Sequence, residues 1–275
     1  MKKTIIVPVD FSAASVNAVN YAADFALAIN AGINLVHICS LPAVSEFPVG
    51  AEAFGNLIND AAEKIEQLKL GLQHKTSGKI LIDTEVLQGT IITQLKEYCH
   101  NIQPALVIIG THESTTLERI VFGSTTLSAI SHLKYPLLVI PCGTRFTGIH
   151  KIGLACDLQQ ADLAEQVEEI TYLFNEFHPQ LHILHVSTKK HGMLSKEEIK
   201  MTESLRTLLK EENPVFHFIQ DENIESSLIT FSEKNNLDLL IVIPKKHGLL
   251  NSLLSKSYSK EIILTTHVPV MSIHE

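Results

Sequence analysis

The residues best placed to do chemistry fall in three short stretches, each at the end of an apolar run: Pro8-Val9-Asp10, His37-Ile38, and the loop opening Gly110-Thr111-His112-Glu113. That loop continues for nine residues to Gly123-Ser124-Thr125-Thr126. A glycine at a strand exit permits close backbone approach. A Gly-Ser-Thr at a helix start offers free backbone N–H groups, hydroxyls and the positive end of a helix dipole. Such a loop suits an anion, and a phosphate in particular. Asp10 could accept hydrogen bonds from a ribose or an adenine edge, or hold a metal. The plain alternative is that Gly110 and Gly123 only shape a loop and a helix start.

The elements that must position these residues alternate strand with helix. Lys3–Val9 is β-branched and apolar, the pattern of a strand buried on both faces of a parallel sheet. Ser12 can cap a helix with an apolar stripe of Val19, Ala22, Ala23, Ala26 and Ile29, which Gly32 would end. Asn34–Ile38 is the expected second strand. A helix follows with Ile58, Ala61, Ile65, Leu68 and Leu72 on one face, then strand Ile80–Leu87 and helix Ile91–Cys99. Strand Ala105–Ile109, a helix from near Ser124, and strand Leu137–Ile140 complete the half. This order predicts an open parallel sheet with right-handed crossovers. Ligands of such sheets bind beyond the carboxyl ends of the strands.

The pattern then repeats. Ile152–Cys156 with Asp157 echoes Ile5–Val9 with Asp10, and Ile183-Leu184-His185-Val186 echoes Leu35-Val36-His37-Ile38. Leu240–Ile243 echoes Leu106–Ile109, and His267-Val268-Pro269-Val270 echoes Lys134-Tyr135-Pro136-Leu137. Four matches in one order imply duplication. The expected layout is a first domain over 1–142, a linker over 143–149 with no apolar period, and a second domain over 150–275. The second copy is shorter after its second strand.

These motifs resemble the universal stress protein family in tandem form. The strand–Asp–Phe–Ser opening, the G-x-x-G-x9-G-[S/T] pattern after the fourth strand, and the closing Pro-Leu-Leu-Val-Ile strand carry the resemblance. It implies two tandem α/β open-sheet domains, each a five-stranded parallel sheet with helices on both faces, of the Rossmann-like, adenine nucleotide alpha hydrolase-like kind. It also implies ATP or AMP in the first domain, with Mg²⁺ as an accompanying ion. The implied ligand residues are Pro8, Val9, Asp10, Ile38, Ile109, Gly110, His112, Gly123, Ser124 and Thr125. The family's pairing through the last strands implies that Leu137–Ile140 and Val270–Ile273 meet within one chain, with a homodimer of chains left open.

Two departures matter. Glu113 stands where the motif has its second glycine. A carboxylate about 4 Å from a phosphate charge costs about 1 kcal/mol in water and about 4 at an effective dielectric of 20. In the second half the loop is Pro244-Lys245-Lys246-His247-Gly248, read as placing Pro244 at the first glycine, and Lys256 falls where Gly123 sits. No nucleotide is expected there.

Composition excludes several classes. With 30 acidic against 22 basic residues, the net charge of −8 does not suit a nucleic-acid surface. No apolar run approaches the ~18 residues of a membrane span, so no membrane partner is expected. The four cysteines form no C-x-x-C pair and no metal spacing, the pattern of reduced cysteines, so a cytoplasmic location is expected. Of the 14 histidines, His182 and His185 lie three apart on a strand and face opposite sides, so no metal site is expected. No nucleophile motif appears, and no catalytic residue is assigned, although slow ATP hydrolysis stays open. The leading expectation is therefore a nucleotide-regulated stress or signalling protein with an unknown protein partner. The alternative is a scaffold of the same fold that binds no nucleotide.

Overall fold

The computed structural model describes residues 3–40, 51–111, 133–158, 164–188, 194–243, 262 and 265–273. The chain divides into two compact units, Met1–Phe146 and Thr147–Glu275.

In the first unit, β1 (Thr4–Pro8), β2 (Gly32–Cys39), β3 (Ile82–Gln88), β4 (Leu106–Gly110) and β5 (Leu137–Ile140) form a parallel sheet in the order β3-β2-β1-β4-β5. Ile5, Ile6 and Val7 are wholly buried, as a central strand covered on both faces requires. Helices α1 (Ala13–Ala28), α2 (Ala51–Lys75) and α3 (Ile91–Ile102) complete the described elements. The two faces can be read from β2. The side chain of Asn34 meets Tyr98 on α3, whereas that of His37 meets Phe11 at the entry to α1. Lys75 at the end of α2 joins Asp24 of α1 at 2.8 Å, so α1 and α2 adjoin.

The entry to α1 is built from the residues after β1. Ser12 is the N-cap, its Oγ accepting from the Ser15 amide at 3.2 Å, an interaction that typically contributes about 1 kcal/mol. The exit differs from the sequence expectation. Asn30, at φ 51°, makes the left-handed turn, and the Ala31 amide donates to Ala26 O at 2.9 Å. Gly32 is thus not the terminator. It is the first residue of β2, paired with Thr4.

The stretch after β5 is fastened to α1. Asn17 Nδ2 donates to the carbonyls of Pro141 and Thr144 at 3.3 and 3.2 Å. The Phe146 ring meets Tyr21 and Phe25 edge-on at 5.4 and 5.5 Å.

The second unit repeats the plan with β6 (Lys151–Ala155), α4 (Ala164–Phe177), β7 (Gln180–Ser187), α5 (Lys196–Leu208), β8 (Val215–Gln220), α6 (Ile224–Lys234), β9 (Leu239–Val242) and β10 (Val270–Ser272). Its parallel order is β8-β7-β6-β9-β10. Helix α5 has 13 residues where α2 has 25, which accounts for the shorter second copy.

The registers of the two units correct one sequence alignment by a single residue. Ile5 pairs with Leu106 and Ile152 with Leu239, and the amides of Val107 and Leu240 both donate to the carbonyl of the following proline, Pro136 and Pro269. Leu106 therefore corresponds to Leu239, not Leu240. Ile243, not Pro244, stands level with Gly110. Uniformly apolar β9 and β4 look alike in either alignment, and only the backbone pairing separates them.

Candidate functional site

The candidate site lies at the carboxyl ends of β1 and β4, where chain connections leave the sheet to opposite sides. Pro8 pairs with Val36 and Ile6 with Val107. Continuing both registers brings Asp10 between Ile38 and Thr111 at one level of the sheet edge. Pro8, Val9, Asp10, Ile38, Ile109 and Gly110 are thus assembled in one place. His112, Gly123, Ser124 and Thr125 lie outside the described residues.

The assembled residues differ in what they offer. Ile38 and Ile109 are buried, 9% and 4% exposed, and present only apolar walls. The Val9 backbone is engaged twice: its amide donates to Val36 O at 2.8 Å, and its carbonyl accepts from His37 Nδ1 at 2.7 Å. Because a carbonyl can only accept, that bond places the proton on Nδ1 of His37. Asp10 is exposed, and its Oδ1 accepts from both the amide and the hydroxyl of Ser12. The same serine caps α1, so the carboxylate is fixed at the positive end of that helix.

Gly110 has a structural reason to be glycine. A Cβ built there would stand 2.2 Å from Ala14 O and 2.7 Å from Ala14 C. Its missing side chain lets the end of β4 approach the backbone of α1. Thr111 then returns to the sheet, its amide donating to Ile140 O at 3.0 Å.

Sequence reasoning missed Phe11. This residue has φ 64°, a left-handed conformation that bulky side chains seldom adopt. Its ring lies 4.7 Å from the His37 ring, and the Lys64 ammonium sits 5.9 Å from its centroid. The turn that aims Asp10 is thus held by an aromatic packed on the histidine that grips Val9. No local sequence signal marks a phenylalanine for that conformation. Phe11, Val16 and the α2 residues Asp60, Lys64, Gln67 and Leu68 line an open cavity of about 830 Å³ beside this turn.

The second unit keeps the frame and changes the chemistry. His185 Nδ1 lies 3.3 Å from Cys156 O, repeating the contact of His37 with Val9. Asp157, however, is only 5% exposed, and the other ring nitrogen of His185 faces Glu198 Oε1 at 3.6 Å. Glu198 also completes the capping box of α5 with Ser195. Burial pushes the Cys156 thiol up to about 12, as it does that of Cys99, so both thiols stay protonated. Among the described residues there is no group of three side chains suited to a metal ion, and no helix is long and apolar enough to cross a membrane.

The model of the universal stress protein family matches residues 1–141. The chain belongs to the universal stress protein family. A universal stress protein of Methanocaldococcus jannaschii is 27% identical over 140 residues, covering 50% of this chain and 81% of the relative. Among solved structures, a universal stress protein from Archaeoglobus fulgidus aligns over 98% of both chains with a TM-score of 0.76 and 16% identity. A functionally unknown protein from Pseudomonas aeruginosa aligns over 99% of this chain and 92% of its own, with a TM-score of 0.64 and 12% identity. At such identities the likeness is one of fold. The Asp-Phe-Ser turn of this universal stress protein lies within the matched residues 1–141.

Proposed function

We propose that the first unit binds ATP or AMP at the carboxyl ends of β1 and β4, and that occupancy regulates a cytoplasmic stress response through a protein partner. The observation that carries this reading is the placement of Asp10, an exposed carboxylate fixed by Ser12 at the switch point of the sheet. There it can accept hydrogen bonds from a ribose hydroxyl or an adenine amine. Ile38 and Ile109 supply apolar walls for a flat base, and the Gly123-Ser124-Thr125 sequence supplies phosphate donors of the type the family motif provides. A Mg²⁺ ion carried with the phosphates would offset the charge of Glu113.

The second unit is proposed to bind no nucleotide. Its aspartate is buried, and Ile243 fills the level at which Gly110 stands. The role is proposed to be regulatory, and steady turnover of saturating Mg-ATP would contradict that. A scaffold that binds no nucleotide is the second reading. It is favoured by Glu113 and by the packing reason for Gly110, which needs no ligand.

Thermal unfolding with and without Mg-ATP separates the two. At a hundredfold excess over Kd, binding should stabilise the wild type by about 2.7 kcal/mol. Asp10→Ala should lose most of that increment, whatever it does to basal stability through Ser12. An equal increment in both proteins would remove Asp10 from the site, and no increment in either would favour the scaffold.

A further inference from the structure

The two units provide an internal comparison at three corresponding positions. By sheet register His182 stands where Asn34 does and His217 where Glu85 does. Phe231 stands where Tyr98 does, each five residues before a left-handed residue, Asn236 at φ 51° and Gln103 at φ 54°. In the first unit, Asn34 Nδ2 donates to the Tyr98 hydroxyl at 3.0 Å, a contact between groups that stay neutral through mild acid. In the second, His182 Nδ1 lies 2.9 Å from His217 Nε2, with the rings stacked at 5.1 Å and Phe231 closing on both.

A hydrogen bond between two imidazole nitrogens requires one to be bare. His182 is 7% exposed, and its Nε2 is buried without a partner. A proton there would be an orphaned buried donor, so the favoured arrangement has His182 Nδ1–H donating to a bare His217 Nε2. An added proton has two destinations. On His217 Nε2 it either sets N–H against N–H or drives the His182 proton onto Nε2 as a buried donor with no acceptor, and on His182 Nε2 it buries a charge with no acceptor. The surroundings oppose it as well. From β6 the facing charge is Lys151, whose Nζ donates to Asn235 O at 3.1 Å, while from α6 the uncharged Phe231 ring covers both imidazoles. His185 faces the other side of β7. Burial first, then His217 and Lys151, hold His182 below its ordinary value, and burial does the same for His217.

We propose that the second unit is an acid-responsive element, in which proton uptake by the His182–His217 pair releases β8 from α6. β8 is an edge strand of its unit, paired to β7, so it can loosen while the central strands hold. The sign follows from the depressed values. Above about pH 6.5 both states of the chain carry neutral histidine. As pH falls below that, the unfolded or opened state takes up protons first, and closure weakens until the folded values are passed.

Amide hydrogen exchange of the whole protein at about pH 7.5 and about pH 5.5, corrected for intrinsic rates, tests this. Protection in 215–220 should fall about fivefold in mild acid, the factor of one net hydrogen bond. The triple variant His182→Asn/His217→Glu/Phe231→Tyr, which carries the first unit's residues, should show no such fall. An equal fall in the variant, or none in the wild type, overturns the proposal. Should the variant not fold, ¹⁵N titration of the wild-type imidazoles decides: the pair must titrate below the free value of about 6.5. Titration of both rings at that value overturns it.

Discussion

Gly110→Val is expected to destabilise the first unit by about 3 kcal/mol before any ligand is added, the upper end of ordinary overpacking. The new Cβ would meet Ala14 O at 2.2 Å and Ala14 C at 2.7 Å. Both are backbone atoms inside α1, so no rotamer change relieves the contact, and the helix or the end of β4 must shift. Urea denaturation of the apo protein measures the loss. A wild-type midpoint would mean that the glycine serves ligand approach alone. The expected result places this residue, the most motif-like in the sequence, first in the packing of α1 on β4.

Phe25→Ala is expected to cost about 3–5 kcal/mol. Phe25 is fully buried in α1, with Tyr21 at 6.4 Å and Phe146 at 5.5 Å between ring centroids. Truncation leaves a cavity and removes the ring on which Phe146 rests. Besides the fall in denaturation midpoint, limited proteolysis should become faster within 143–149, because anchored backbone resists cleavage and released backbone does not. A loss below about 1 kcal/mol with unchanged cleavage would show that the pocket collapses without consequence.

The sequence was most legible where one physical constraint dominates. Ile5–Val7 and Leu137–Ile140 are apolar throughout, which signals burial on both faces, and those residues form the buried interiors of strands. Ser12 as a cap was readable because its hydroxyl acts within one turn. The failures came from competition between residues of similar capacity. Asn30, rather than Gly32, took the left-handed turn, since asparagine tolerates that conformation and the glycine was free to begin β2. The register of β9 was invisible in a run of interchangeable aliphatic residues. The candidate site is half legible: the ends of the apolar runs place Asp10 and Gly110 at one sheet edge, whereas Phe11 acts through long-range contacts to His37 and Lys64 that no local pattern encodes.

The most direct test of nucleotide binding in the first unit is native mass spectrometry of the purified chain before and after Mg-ATP. The account predicts a mass increment of one nucleotide per chain, lost in Asp10→Ala. Two increments would contradict the proposal of a ligand-free second unit, and no increment at millimolar nucleotide would contradict the central claim.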